Sequence, residues 1–183
     1  MRTSAVSFTA MALIARLTGS SAAVMAQEAA PSAGASPFTL SATITSMEGD
    51  PPVAVGDVMQ TRETTIRWDS KASDPRFDGQ GVTVANVDAY TNADPAAGGP
   101  EVAWGTIRIE NEGGAWAGPY TGLGLPDQHT ETVTWWLTGE GGYEGQSAFL
   151  RQSGHPDEAG SAYVIPMEGW VFPGPVPMAA PAD

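Results

Sequence analysis

Two histidines in polar, turn-like segments are the side chains best suited to metal binding or proton transfer. His129 and His155 are flanked closely by proline or glycine, and Asp127 and Glu158 lie near them in the sequence. Their spacing matches no zinc signature of a helix or hairpin, so we interpret them as exposed loop histidines rather than metal ligands. Ser153 stands close to His155, but no Gly-x-Ser-x-Gly segment predicts a serine nucleophile.

Acidic residues are abundant, and two small groups resemble loose calcium ligands. Glu110 and Glu112 flank Asn111, and Asp74 precedes Asp78 in a short polar stretch. Neither group has the ligand spacing of an EF-hand loop, and carboxylates in turns usually face water. We therefore predict no metal site and no cofactor.

Asp88 is the most informative acid, because it lies inside a strand-like run that ends at Tyr90. If the face that carries both residues lines the core, Asp88 is a buried acid suited to proton transfer. If the opposite face, with Val87, lines the core, Asp88 faces water. The alternation of apolar residues favours the second arrangement.

Aromatic side chains are the groups of this sequence most suited to contact a ligand. Most of the six tryptophans are expected to fill the core, and Trp136 is the predicted exception, because it falls on the threonine-rich face of its run. We predict a ligand-binding set of Trp104, Trp136, Asp88 and Tyr90. We expect Trp136→Ala to weaken binding without unfolding the protein.

Bulk composition narrows the classes of function. The 183-residue chain has a formal net charge of −13 and contains no cysteine. Its negative charge repels phosphate groups, which disfavours nucleic acids and anionic membrane surfaces as partners. The lack of cysteine excludes disulfides and any zinc or iron–sulfur site built from thiolates.

The N-terminal region is typical of a cleaved secretory signal, which predicts a secreted or periplasmic protein. Arg2 precedes an apolar run over residues 5–15, and small residues continue to Ala26; the alternative is a retained apolar tail. That run is shorter than the roughly 20 apolar residues of a membrane span, and no later segment approaches that length. The predicted boundaries are 1–26 for the signal, 27–37 for a flexible lead-in, 38–172 for one folded domain and 173–183 for a proline-rich flexible tail.

Hydrophobic patterning predicts an all-β fold, specifically a small closed antiparallel barrel of about six to eight strands. Frequent glycine and proline disfavour long helices, and about eight short β-branched or aromatic runs recur instead. In one such run Val133, Trp135 and Leu137 share a face. Glycines inside runs are expected where strands bend tightly to close a barrel. These glycines are Gly105, Gly118 and Gly145.

Three glycine-containing stretches resemble a known family. Residues 113–118 are Gly-Gly-Ala-Trp-Ala-Gly, residues 120–122 are Tyr-Thr-Gly, and residues 137–145 are Leu-Thr-Gly-Glu-Gly-Gly-Tyr-Glu-Gly. Together with the Asp-Pro-Arg turn at 74–76, they resemble the bacterial exported allene oxide cyclase barrel-like proteins, relatives of plant allene oxide cyclases and dirigent proteins. The resemblance implies an antiparallel barrel of six to eight strands with an apolar cavity. The chain departs from the commoner family pattern at Pro119-Tyr120 and at Gln146.

The sequence supports three hypotheses about function. The leading hypothesis is a non-enzymatic binding or interaction module for a small apolar or aromatic ligand. The resemblance implies an alternative, a cyclase- or dirigent-like enzyme that steers a reactive apolar intermediate, and no catalytic residue of those families is carried over to this chain. A structural protein of the cell envelope is the third hypothesis, and the oligomeric state is left open.

Overall fold

The fold is all-β, as predicted, and its strands close into a barrel. The computed structural model describes residues 34–90, 99–125, 130–153 and 164–176. Each of the eight predicted runs coincides with one strand, and the sequence pattern does not predict the short β2. In the described residues the strands are β1 Ser36–Glu48, β2 Val53–Val55, β3 Val58–Ala72, β4 Gly79–Tyr90, β5 Glu101–Asn111, β6 Gly114–Leu125, β7 Thr130–Gly141, β8 Gln146–Ser153 and β9 Val164–Pro173.

The barrel is closed because β1 pairs on both of its edges. The strand order is β1-β9-β8-β7-β6-β5-β4-β3-β2, and β1 also pairs with β3. Leu40 on β1 therefore lies opposite Met167 on β9 and opposite Ala72 on β3, and every neighbouring pair is antiparallel. β2 pairs with the start of β3 and lies outside the closed ring of eight strands. Closure gives the eight strands hydrogen-bond partners on both sides, which an open sheet lacks at its edges.

Alternation along each strand separates the core from the outer surface. On β7, Val133, Trp135 and Leu137 are buried, whereas Thr134 and Trp136 between them are only half-buried on the outer face. The predicted facing of this strand is confirmed. Buried side chains from the inner faces of the eight barrel strands join in a single hydrophobic core.

Two glycines lie where neighbouring backbones leave no room for a side chain. A Cβ on Gly105 would stand 1.9 Å from the carbonyl oxygen of Val84, and a Cβ on Gly118 would stand 1.9 Å from that of Trp136. Both glycines lie inside strands, as predicted, and allow the wall to curve tightly. The same prediction for Gly145 is wrong, because that residue lies in the turn between β7 and β8 with a φ of 81°.

Residues 73–78, which connect β3 to β4, form a plug that closes one end of the barrel. A 3₁₀ turn within the plug carries Phe77 into the interior, where its ring centroid lies 4.1 Å from that of Phe38 and 4.6 Å from that of Trp116. Phe77 and Trp116 are completely buried. Stacked aromatic rings therefore fill this end, which we call the plug end.

Polar contacts hold the plug in place. The Asp74 carboxylate accepts hydrogen bonds from the backbone N–H of Arg76 at 3.0 Å and from its guanidinium at 2.5 Å. Arg76 also donates to the side chain of Gln146, and its carbonyl oxygen accepts a 3.0 Å hydrogen bond from the indole N–H of Trp116. The hydrogen bonds from the Arg76 side chain lower the pKa of the Asp74 carboxyl.

The opposite end, which we call the loop end, receives the last residues of β4, β6 and β8. The connections that follow these strands include residues 91–98, 126–129 and 154–163, which lie outside the described residues. The predicted signal peptide also lies outside them. Within the described part of the chain, no helix has the length and apolar character needed to cross a membrane.

Candidate functional site

Three of the four residues predicted to bind a ligand form a neighbourhood on the outer face of β4 and β5. The Asp88 carboxylate lies 2.5 Å from the guanidinium of Arg62, whose central carbon lies 5.0 Å from the ring centroid of Trp104. Tyr90 is 44% exposed at the end of β4. Asp88 thus points away from the core, in the arrangement that alternation favours, and Arg62 joins it to Trp104.

Trp136, the fourth predicted residue, belongs to a separate set of rings on the outside of the barrel. Its ring centroid lies 4.5 Å from that of Phe149, which lies 6.0 Å from that of Trp170. All three rings are half-buried and none belongs to the core. We call them the outer aromatic row. The predicted position of Trp136 outside the core is confirmed, and its role in binding stays a prediction.

Neither histidine can be placed, because His129 and His155 lie outside the described residues, as do Asp127 and Glu158. Within the described ranges, no group of three or more metal-ligating side chains comes together. Three of the four acids considered as calcium ligands lie in ion pairs, namely Asp74, Asp78 and Glu110.

Ion pairs account for three of the four acids of the two sequence clusters near the plug end. Asp78 lies 2.9 Å from the ammonium of Lys71, and Glu110 lies 2.6 Å from the guanidinium of Arg108. The hydrogen bond from Lys71 lowers the pKa of the Asp78 carboxyl. Glu112 is exposed in the turn between β5 and β6. These carboxylates belong to surface pairs and turns.

A different part of the barrel, the inner wall near the loop end, is built from small residues. Ala103 on β5 lies opposite Gly122 on β6, and Gly105 lies opposite Tyr120. Gly124 continues the inner face of β6, and a Cβ there would approach no atom closer than 3.5 Å. Of the three glycines Gly124 has the most room, because a Cβ on Gly105 would lie 2.9 Å from the Tyr120 ring and a Cβ on Gly122 would lie 3.1 Å from the Val133 side chain.

Apolar side chains that line this half of the interior are incompletely buried. Ile66, Ala103 and Ile165 pack against the core from the inner faces of β3, β5 and β9, yet each keeps some exposure. Toward the plug end, by contrast, Ile109 and Leu137 are completely buried. The described interior is therefore completely filled near the plug and less completely buried near the loop end.

Tyr120 lies at the boundary between the filled and the accessible halves. The residue is 7% exposed, and its ring centroid lies 6.4 Å from that of Trp135. Its hydroxyl makes no hydrogen bond with a described residue, and no completely sealed side-chain nitrogen or oxygen in the described part lacks a partner. The hydroxyl must therefore reach solvent-accessible space. Burial raises the pKa of Tyr120 to about 12, so the group keeps its proton at neutral pH and can donate a hydrogen bond.

Two glutamates stand at the loop end of the same wall. The register aligns Glu101, Gly124 and Glu131 across β5, β6 and β7, so both glutamates are on the inner face with the glycine between them. The buried Gln152 donates from its side-chain nitrogen to the Glu131 carboxylate at 3.5 Å. Four residues of strand separate this rim from Tyr120, which corresponds to about 13 Å.

We call this half of the interior the loop-end chamber. Tyr120 and Trp135 form its floor, Ala103 and Gly122 line its wall, and Glu101 and Glu131 stand at its rim.

No protein-family model matches this chain, and no curated protein or solved structure matches it.

The chamber does not contain any of the four residues predicted to bind a ligand. A signal for it does exist in the sequence, because Gly122 and Gly124 follow Tyr120 at alternate positions. Consecutive inward glycines remove side chains from one wall of a small barrel. The position of the two glutamates depends on strand register and has no comparable local signal.

Proposed function

We propose that this protein is an exported, non-enzymatic binding module that holds a small apolar or aromatic ligand in the loop-end chamber. The observation that carries the proposal is the hydroxyl of Tyr120, which belongs to a nearly buried side chain and has no hydrogen-bond partner among the described residues. Because this hydroxyl reaches accessible space on the inner side of the wall, an acceptor on a ligand could take the place of water as its hydrogen-bond partner.

The chemistry of the chamber supports the same proposal. Small-molecule sites are usually concave and mostly apolar, with a few polar groups that set the orientation of the ligand. Ile66, Ala103 and Ile165 offer accessible apolar surface, and Trp135 offers an aromatic ring beside Tyr120. The chamber therefore combines an apolar wall with a hydroxyl donor at its floor.

The family resemblance and the export of the protein are parts of this proposal. An eight-stranded antiparallel barrel is the architecture that a resemblance to allene oxide cyclase barrel-like proteins implies, so the fold is compatible with it. One fold hosts many functions, so the resemblance does not select between a binder and an enzyme. Export rests on the pattern of residues 1–26.

Titration with N-phenyl-1-naphthylamine, a neutral dye that fluoresces in apolar surroundings, tests the proposal. We expect saturable binding at one site per chain. Gly124→Leu should fill the chamber and raise the Kd at least about tenfold, which corresponds to about 1.4 kcal/mol of lost contact. A Cβ at Gly124 would meet its nearest neighbour at 3.5 Å, so the backbone there has room for a side chain to start, and thermal unfolding checks that the leucine variant folds. Leu123→Ala, on the outer face of the same strand, is the matched control and should bind like the wild type.

The substitution Tyr120→Phe separates the binding role of the hydroxyl from any structural role. Because the hydroxyl has no described partner, the free energy of unfolding should stay the same or rise. Binding of 4-phenyl-1-butanol, whose oxygen can accept a hydrogen bond, should weaken about two- to tenfold. A clear loss of stability in the variant would show that the hydroxyl serves the fold instead.

Trp136→Ala decides between the chamber and the outer aromatic row. Dye binding that survives Trp136→Ala and is lost in Gly124→Leu places the ligand in the chamber. The reverse result would move the ligand to the outer surface and overturn the proposed location. Turnover of a bound compound would establish the enzyme alternative, and self-association without saturable binding would favour the structural one.

A further inference from the structure

We infer that the outer edge of β2 is a docking site for a partner protein, an extended segment of which adds a strand there and carries basic residues beside alternating apolar ones. This surface lies outside the loop-end chamber, so the inference goes beyond the proposed function. It is carried by the backbone edge of β2, by the exposed apolar side chains next to it and by the acidic residues that precede it.

The position of β2 follows from the stagger of the barrel strands. β1 pairs with β3 only as far as Glu48, opposite Thr65, and β2 resumes the same edge of β3 at residues 58–60. The other edge of β3 is occupied by β4 along this stretch. β9 begins at Val164 opposite Thr43 on β1, so the described β9 does not extend alongside β2. Within the described ranges, β2 therefore pairs with β3 alone.

The backbone of Ala54 offers hydrogen bonds at the outer edge of β2. Val55 and Val58 lie opposite each other across a two-residue turn, and such a closing pair exchanges both of its backbone hydrogen bonds. The next pair, Ala54 with Met59, is therefore a non-hydrogen-bonded pair, in which the N–H and C=O of Ala54 point away from β3. A strand edge of this kind is a template for a further strand, and β2 contains neither the proline nor the lysine that often blocks one.

Exposed apolar side chains form a band on the outer face of the sheet next to this edge. The register places Val55 opposite Val58 and Val58 opposite Tyr90, and it places Val102 opposite Leu123 on the next two strands. Apart from the half-buried Val58, these residues are 39–53% exposed. Contiguous exposed apolar surface usually marks a site of contact with another molecule. A strand added to β2 would extend the sheet beside this band.

The charge around β2 favours a basic partner over a second copy of this chain. Glu48 and Asp50 precede β2, are both exposed, and belong to none of the ion pairs of the described residues. The whole chain carries a formal net charge of −13, so two copies repel each other as they approach. Lysine or arginine residues beside the partner's strand would instead be attracted to this edge.

Two capped, rhodamine-labelled heptapeptides test the inference by fluorescence anisotropy with the full chain at pH 7. One is Lys-Thr-Val-Thr-Val-Thr-Lys, whose β-branched residues favour an extended strand, and the other has glutamate in place of both lysines. We expect saturable binding of the lysine peptide, at least about tenfold tighter than that of the glutamate peptide at low salt. This difference should shrink in about 0.5 M NaCl, which screens charges.

The substitution Ala54→Pro tests the backbone edge itself. It removes the outward N–H and leaves the hydrogen bonds of β2 to β3 in place, so the Kd of the lysine peptide should rise about tenfold. Ala54→Ser keeps the N–H and is the matched control, which should bind like the wild type. Because β2 lies outside the closed ring, thermal unfolding should show an intact barrel in both variants. A lysine peptide with proline in place of its central threonine makes the same test without changing the protein, and it should also bind about tenfold more weakly.

A double variant, Glu48→Gln with Asp50→Asn, tests the basic character of the partner. The preference for the lysine peptide over the glutamate peptide should fall at least about threefold. Glu112→Gln with Glu144→Gln is the matched control, because it removes two carboxylates from exposed turns at the plug end. That control should keep the full preference.

Four outcomes would overturn the inference. Equal affinity of the lysine peptide for the wild type and for a folded Ala54→Pro variant excludes the edge of β2 as the site. Equal affinity of the two peptides at low salt excludes a basic partner. A dimer of the wild type in sedimentation that is lost in Ala54→Pro makes a second copy the occupant instead of a partner protein. Absence of saturable binding of the lysine peptide up to about 1 mM excludes strand addition at this edge.

Discussion

At the scale of single residues, Asp74 shows how one carboxylate can hold a barrel end closed. It accepts hydrogen bonds from both the backbone and the side chain of Arg76, and Arg76 in turn reaches Gln146 across the plug end. The Asp74 side chain is 18% exposed, so water competes weakly for these contacts. Charge-assisted hydrogen bonds of this kind contribute more than neutral ones.

We expect Asp74→Asn to lower the free energy of unfolding by about 1.5–3 kcal/mol at pH 7, the usual contribution of a hydrogen bond to a charged group. The contacts with Arg76 lower the pKa of Asp74 in the folded protein. The stabilisation is therefore complete above the unfolded pKa, about 3.9, and is lost as the pH falls through the lower folded value. Urea unfolding of both proteins should show their stabilities converging below about pH 4.

The control for this experiment is Asp69→Asn, which changes an exposed carboxylate on the outer face of β3. Its free energy of unfolding at pH 7 should stay within about 0.5 kcal/mol of the wild type. A gap between Asp74→Asn and wild type that keeps its size from pH 7 to pH 3 would contradict the electrostatic explanation.

At the scale of secondary-structure elements, the alternation of apolar and polar residues predicted strands well where they border the core. It identified all eight barrel strands and the inward face of β7, because burial of one face imposes a period of two. It missed β2, whose three residues are all exposed and therefore show no such period. Alternation is interrupted within β3, because the register shifts between Thr61 and Thr64 and Glu63 has a φ of 53°.

The plug illustrates the limit of local sequence patterns. The Asp-Pro-Arg stretch predicts a turn, but the sequence nearby does not show that Phe77 enters the barrel. Its two stacking partners, Phe38 and Trp116, are 39 residues distant in either direction along the chain. A contact of this range is specified by strand order and register, which local patterns do not contain.

We expect Phe77→Ala to lower the free energy of unfolding by about 3–5 kcal/mol, since it empties a fully buried aromatic site between two stacked rings. Chemical unfolding followed by tryptophan fluorescence measures the change, because Trp116 is a direct neighbour. Phe149→Ala is the matched control on the outer aromatic row and should cost less than half as much. Equal losses for the two variants would mean that the plug does not anchor the core.

At the scale of the whole molecule, the candidate site combines residues from separate strands around the barrel. Alternation indicates correctly that Asp88 and Trp136 face outward, and outward residues are natural candidates for contact with a ligand. The chamber needs a further fact, namely that the neighbouring strands leave the space beside Gly124 open. Side-chain filling of a closed barrel depends on all its strands together.

The barrel wall should tolerate a methyl group at one glycine and reject it at another. Gly105→Ala would place a Cβ 1.9 Å from the carbonyl oxygen of Val84, so β4 and β5 must separate, and we expect a loss of about 1–3 kcal/mol or more. Gly124→Ala meets no atom within 3.4 Å, and restricting the unfolded chain should make it neutral or stabilising by up to about 1 kcal/mol. Thermal and urea unfolding of the two variants provide the comparison. Similar stabilities would contradict the tight curvature assigned to Gly105.

The double pairing of β1 has a consequence for how the chain folds during synthesis. β1 emerges long before β9, so one of its edges has no partner until the final strand of the barrel becomes available. Such long-range closure slows folding and leaves an unpaired, aggregation-prone strand edge in the nascent chain. Premature termination before residue 164 would leave β1 and β8 each with one unpaired edge. Such molecules would tend to associate through hydrogen bonds between these edges.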